Sequence, residues 1–340
     1  MMKYKLLGNS GLRVSEICLG TMTFGTEWGT GADYQESKNQ FFYFLEQGGN
    51  FIDTANRYTE GTSEQWLGEF VKESKRRDEL VIATKYSLFT EPNKINDGGN
   101  HRKNLVQSLE KSLKRLQMEY VDILYLHAWD FSVPVEEVMR SLEYCVQSGK
   151  VLHIAFSDTP AWIIAQAQTI AEFRGWSKLC CVQLEYSLIT RDIEREYFRM
   201  CEQMNLPILA WAPLAGGALT GKYLTPNSDE PKRLKPESKR LNARSTKIAE
   251  KVVEIAQELG TSPTQVALRW VMNKKNIIPI IGARTTQQLK DSLNVVNFEL
   301  PENYIKELNE ISSIEMGFPH EFLVSDNVIN LLWNGLQNKM

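Results

Sequence analysis

Short apolar runs alternate with longer amphipathic stretches along most of the chain, and this alternation sets the expected fold. The runs read as strands lie at residues 16–21, 50–54, 80–85, 121–127, 153–157, 180–185, 207–213 and 277–282. Stretches of helical period fall at 34–47, 63–73, 101–116, 134–147, 160–173, 192–204, 245–259, 263–273 and 287–295. Within 101–116, Leu105, Leu109, Leu113 and Leu116 share one face. Asp33, Thr159-Pro160 and Ser262-Pro263 are helix-start signals. Residues 3–19 read as an N-terminal β-hairpin that turns at Gly8-Asn9-Ser10-Gly11. Eight strands separated by helices predict an α/β protein, a (β/α)8 TIM barrel formed as one domain over residues 1–340 with a C-terminal extension at 316–340. No G-x-G-x-x-G follows a strand, which disfavours an open dinucleotide-binding sheet.

Three stretches interrupt the alternation, at 22–31, 86–100 and 222–244, and each follows a strand. In a barrel, such loops form the rim of the active site. The third contains Asp229-Glu230-Pro231-Lys232-Arg233, which reads equally as a solvated loop. The extension carries Phe318, Phe322, Leu331, Leu332 and Trp333, suited either to capping the barrel mouth or to a subunit contact, so a homo-oligomer is left open.

Charge narrows the partners. With 39 Lys and Arg against 42 Asp and Glu, the chain has no positive excess to attract nucleic acid or an anionic membrane. The long uncharged run at 203–221 is broken by Pro207, Pro213, Gly216 and Gly217, and the N-terminus has no signal-peptide core, so a cytoplasmic protein is expected. The five cysteines are odd in number and contain no C-x-x-C, which fits reduced, buried thiols and no metal site.

The candidate chemistry lies where polar residues end the apolar strands: Asp53, Lys85, His127, Ser157-Asp158, Gln183 and Arg284, with Trp211 near the end of the seventh. A barrel gathers these ends at one mouth. Singly, each has a plainer reading: a turn carboxylate, a solvated lysine, a structural histidine, a packed tryptophan. Together with Tyr58 they form a proton-transfer set. Lys85 is expected to lower the Tyr58 pKa, Asp53 to hold Lys85, and His127 to donate to a carbonyl oxygen or relay its proton. No side chain supplies hydride, so a nicotinamide cofactor completes the chemistry. A lysine at a strand end also suits a Schiff-base lyase or aldolase. Phe24, Trp28, Tyr86, Phe89 and Trp129 suggest an aromatic or apolar substrate rim.

The runs Gly20-Thr21-Met22, Phe51-Ile52-Asp53-Thr54-Ala55, Tyr58, Thr84-Lys85, 125–130, 183–188 and 211–217 resemble, in order, the aldo-keto reductase family over roughly residues 5–313. The resemblance implies NAD(P)H-dependent reduction of aldehydes or ketones by a tetrad of Asp53, Tyr58, Lys85 and His127. It also implies an extended NADPH, with NADH left open, bound along a groove bordered by Gly20, Thr21, Met22 and Asp53. Ser157, Asp158 and Gln183 would hold the carboxamide, and Trp211 would stack on the nicotinamide. Pro213, Leu214, Gly216 and Lys222 would follow the pyrophosphate, and Gly282, Arg284, Gln288 and Asp291 the adenosine end. Arg284 offers a fork for a 2′-phosphate, although Asp291 could instead pair with it. Two positions depart from the pattern. Asp158 stands where many members carry asparagine, and the Lys-Ser pair of many adenosine sites is absent beside Gly282. A cofactor-binding regulatory barrel is the non-catalytic reading that the same resemblance allows.

Overall fold

A computed structural model of the chain describes residues 1–225, 232–334 and 336. Strands β1 (Tyr4–Leu6) and β2 (Arg13–Ser15) pair antiparallel, a shorter hairpin than residues 3–19 suggested because the chain from Cys18 leaves it for the barrel. Eight parallel strands then close on themselves: β3 (Cys18–Gly20), β4 (Phe51–Asp53), β5 (Val81–Tyr86), β6 (Val121–Leu126), β7 (Val151–Ser157), β8 (Leu179–Glu185), β9 (Ile208–Trp211) and β10 (Ile277–Ile281). Strand β10 bonds to both β9 and β3, so the sheet has no edge.

Helices α1 (Tyr34–Glu46), α2 (Thr62–Ser74), α3 (Arg102–Leu116), α4 (Val135–Gln147), α5 (Ala161–Arg174) and α6 (Tyr197–Met204) connect successive strands from β3 to β9. Helices α7 (Ala243–Glu258) and α8 (Pro263–Met272) precede β10, and α9 (Thr286–Leu293) and α10 (Glu302–Ile311) follow it. Asp33, Ser262 and Thr285 each accept a first-turn backbone N–H, satisfying donors that a helix start leaves open. The stretch read as one helix at 192–204 is a single 3-10 turn, Asp192–Glu194, followed by α6.

The period of two along each strand divides the core into two layers. Phe51, Val81, Ala83, Ile123, Tyr125, Ala155, Leu209 and Ile278 fill the barrel, plugged at one end by Leu7 and Val14 of the hairpin. Ile52, Ile82, Leu124, Phe156, Val182 and Ala210 face the helices. This parity places the site. In β5, Val81 and Ala83 point inward, so Lys85 does too, while Tyr86 joins the outer layer.

The extension forms α11 (His320–Leu323) and α12 (Asp326–Trp333). It is tied near α6 by Arg195, which donates to the Glu315 carbonyl at 2.8 Å, and by His320, paired with Glu196 at 3.1 Å. Phe318, Phe322, Leu331, Leu332 and Trp333 remain exposed. No helix among the described residues is long and apolar enough to cross a membrane.

Candidate active site

Strands β4, β5 and β6 are neighbours in the barrel, so Asp53, Lys85 and His127 emerge side by side at its mouth. Lys85 is fully buried, and its Nζ donates to Asp53 Oδ2 at 2.5 Å, to the Thr54 carbonyl at 2.9 Å and to Tyr58 Oη at 3.2 Å. The second Asp53 oxygen accepts from Gln183 Nε2 at 2.9 Å, a bond that spans the barrel from β8 to β4. Tyr58 opens a short turn, Tyr58–Gly61, in which Thr59 (φ 46°) and Glu60 (φ 57°) are both left-handed. The His127 ring stands edge-on to Tyr58, with centroids 5.8 Å apart.

These contacts set the charges. Burial opposes the Lys85 charge, but Asp53 and Tyr58 outweigh it and raise the ammonium pKa. For Tyr58 the balance runs the other way: burial dominates, Lys85 offsets only part of it, and the phenol pKa is raised. The expectation that Lys85 would bring Tyr58 below its usual value is therefore corrected. Burial, then the Lys85 charge, holds His127 well below the ordinary imidazole range, so it is neutral at neutral pH. Its Nδ1 has no partner among the described residues. Since Lys85 donates into the Tyr58 oxygen, the phenol's own proton is free to point elsewhere.

It can point into a cavity of about 710 Å³ bordered by Asp53, Tyr58 and His127. Of the expected cofactor residues, Gly20, Met22, Ser157, Asp158, Gln183, Trp211, Pro213, Leu214, Gly216, Lys222, Gly282, Arg284, Gln288 and Asp291 also line it. Thr21 does not. One residue past inward-facing Gly20, it points outward and bonds to the Asp53 carbonyl at 3.0 Å and to Ser63 of α2 at 2.8 Å. Thr23 lines the cavity and was missed. The Asp291 carboxylate holds Ser262 at 2.7 Å and Gln265 at 2.9 Å, and so braces the start of α8. Asp158, in a left-handed conformation (φ 39°), accepts from Trp211 Nε1 at 3.0 Å. Burial raises its pKa despite that bond and the nearby Lys85.

The aromatic rim needs more correction. Trp28 lines the cavity, but Phe24 is fully buried against Phe70. Tyr86 is also fully buried, with its hydroxyl on the Asn100 carbonyl, and Trp129 packs beside Phe156 in the outer layer. None of these three reaches the cavity, since Tyr86 has the wrong strand parity and the other two turn into the packing between strands and helices. Arg57, Leu88, Arg233 and Arg240 line it instead. Loop residues have no periodicity from which to read direction, although Arg57 adjoins Tyr58 in sequence. None of the described residues of the tail lines it, and Asp229, Glu230 and Pro231 lie outside the described residues. Among the described residues no group of His, Cys, Asp or Glu is arranged to hold a metal ion.

A closed eight-stranded parallel barrel with a hydrogen-bonded Asp–Lys–Tyr cluster at its mouth defines the class, and the comparisons agree: the chain belongs to the aldo/keto reductase family, whose model matches residues 16–313. It is an NAD(P)H-dependent oxidoreductase. It is similar to a norsolorinic acid reductase of Aspergillus flavus, 38% identical over 94% of this chain and 83% of that one. It is also similar to an aryl-alcohol dehydrogenase of Pestalotiopsis microspora, 34% identical over 94% and 85% of the two chains. A putative aryl-alcohol dehydrogenase of Saccharomyces cerevisiae is 35% identical over 94% and 89%.

Proposed function

We propose that this protein reduces aromatic aldehydes or ketones with NADPH, and oxidises the corresponding alcohols in reverse, with Tyr58 as general acid and base. The observation that carries the reading is the hydrogen-bonded chain Gln183–Asp53–Lys85–Tyr58 beside the cavity. The aromatic class follows the names of the similar reductases and dehydrogenases.

The lining suits the cofactor. Arg233, Arg240, Arg284 and Lys222 give one side of the cavity a cationic surface fit for phosphates. Gly216 and Gly217 both have positive φ there, and a Cβ on Gly217 would press on Lys222, so the backbone stays low where an extended ligand must pass. Ser157, Asp158 and Gln183 offer the polar groups a carboxamide needs, beside Trp211 for stacking. Bound there, the nicotinamide supplies the hydride that no side chain can. Arg284 is the group assigned to a 2′-phosphate, which favours NADPH over NADH.

The side chains handle the proton. A carbonyl oxygen placed between Tyr58 Oη and neutral His127 receives two hydrogen bonds, and Tyr58 gives up its proton as negative charge develops on that oxygen. The buried ammonium of Lys85 stabilises the phenolate that remains, and Asp53 keeps Lys85 charged and in place. The lyase alternative is disfavoured by the same geometry. Lys85 carries three hydrogen bonds, is held protonated and does not line the cavity, so it is no nucleophile.

Tyr58→Phe tests this reading. Reduction of an aryl aldehyde should fall about 10²- to 10⁴-fold, while NADPH still quenches tryptophan fluorescence with nearly unchanged affinity. Retained turnover in that variant, or no binding of either nicotinamide cofactor to the unaltered protein, removes the proposal.

A further inference from the structure

The barrel order splits the mouth into two arms. Loops after β7 to β10 provide most of the cofactor side, whereas those after β3, β4 and β5 bring Trp28, Arg57 and Leu88 to the other side of Tyr58 and His127. Arg57 is unexpected in that second arm. A substrate pocket for neutral aromatic rings gains nothing from a guanidinium, and covering the free edge of that group with such a ring costs free energy.

Arg57 is also held in one pose. Nη1 pairs with Glu60, and the guanidinium lies 4.7 Å from the centroid of the Phe89 ring. Glu60 in turn accepts from Trp28 Nε1 at 3.1 Å, so one carboxylate fixes both the arginine and the indole. Two consecutive left-handed residues, Thr59 and Glu60, bring that carboxylate round, an arrangement disfavoured for ordinary side chains. The Trp28 ring stands edge-on to Tyr58 at 6.4 Å, which continues the arm directly from the proposed acid. Among the described residues Glu60 is the only hydrogen-bond partner of Arg57, leaving the Nε and Nη2 edge uncommitted. That edge is a planar fork matched to a carboxylate.

Resting on the reductase reading above, we propose that Arg57 is a specificity-determining residue that selects aromatic carbonyl substrates bearing an anionic substituent, a carboxylate above all, on the ring end remote from the reacting carbonyl. Trp28 and Leu88 contact the ring, and Arg57 binds its charged end.

The test compares 4-carboxybenzaldehyde with 4-methylbenzaldehyde, which match in shape and differ in charge. The unaltered enzyme should show a higher kcat/KM for the carboxylated aldehyde, mainly through a lower KM. Arg57→Met should reduce the ratio of the two kcat/KM values about 10- to 100-fold, with Arg57→Lys intermediate because a point charge replaces a fork. A separate titration follows tryptophan quenching by 4-carboxybenzyl alcohol in the presence of NADPH, and Arg57→Met should weaken that binding by a similar factor. An unchanged ratio and unchanged binding in Arg57→Met overturn the assignment. Arg57-dependent binding without turnover of either aldehyde supports Arg57 and removes the reductase reading instead.

Discussion

Replacing Lys85 with methionine provides a sharp test of how the site is held together. The ammonium and the Asp53 carboxylate are 2.5 Å apart, and the two side chains are 0% and 2% exposed. At an effective dielectric constant of ~20 their attraction is roughly 7 kcal/mol, most of it offset by the cost of taking both ions out of water. Lys85→Met removes the attraction but leaves the carboxylate buried, with Gln183 as its remaining side-chain donor. Breaking such a pair from one side costs about 3–5 kcal/mol. An unfolding entropy of ~2.1 cal/mol/K per residue amounts to roughly 0.7 kcal/mol/K over 340 residues, so Tm should fall about 4–7 °C. Adding Asp53→Asn removes the stranded charge, and the double variant should regain at least half of that loss although it lacks both ions. Calorimetry of the two variants beside the unaltered protein checks this directly. The reasoning is refuted if Lys85→Met melts with the parent, or if the double variant melts no higher than the single one.

Two further outcomes follow from the loops. Gly217→Ala, which forces a Cβ to 2.8 Å from Lys222 Cε at φ 92°, should weaken NADPH binding about 10-fold in a fluorescence titration, and unchanged affinity would show that this turn does not contact the cofactor. Asp97 organises the loop after β5: it accepts from the backbone N–H of Thr90 and Glu91, each at 2.6 Å, and pairs with Lys111 at 3.0 Å. Burial opposes its ionisation, but these contacts outweigh burial and lower its pKa to about 2. Its contribution is therefore complete above the unfolded value of ~3.9 and lost as pH falls toward about 2, and Asp97→Asn should cost on the order of 1–2 kcal/mol at neutral pH. Faster proteolytic nicking within residues 87–100 of that variant is the corresponding readout.

The barrel was legible because its strands are continuous apolar runs between amphipathic helices, a pattern that follows from burial on both faces of a parallel sheet. Three of the four proposed tetrad positions follow strand parity, which carries one inward residue to the next: Ala83 to Lys85, Phe51 to Asp53, Tyr125 to His127, while Tyr58 lies in the loop after β4 and came from the family resemblance. Parity also explains the errors. Tyr86 and Thr21 sit one residue beyond inward positions and so face the helices, although their chemistry suits a pocket. Phe24 and Arg57 lie in loops, where direction is set by tertiary contacts such as Phe24 on Phe70 and Arg57 between Glu60 and Phe89. Apolar character guided the reading there, and it selected the buried aromatic over the arginine that adjoins Tyr58 and lines the cavity. The Tyr58 pKa was misjudged for a related reason, since sequence shows that Lys85 is near but not how little water remains.

With Tyr58 as the proposed acid and base, that raised pKa makes the two directions of the reaction respond differently to pH. Reduction needs the protonated phenol, and burial keeps Tyr58 protonated beyond the usual range of tyrosine, so kcat/KM for an aldehyde should stay level through neutral pH and decline only as pH rises toward the phenol's value. Alcohol oxidation needs the deprotonated oxygen, and its kcat/KM should climb over the same alkaline range. His127 should add no step of its own between pH 6 and 9, because its pKa lies well below the ordinary imidazole value and the ring is already neutral there. Rate profiles in both directions, at saturating cofactor, separate the two groups. An acidic limb near pH 6.5 in the reduction profile would mean that an imidazolium takes part, against the burial of His127. A reduction rate that rises with pH would mean that Tyr58 is not the donor.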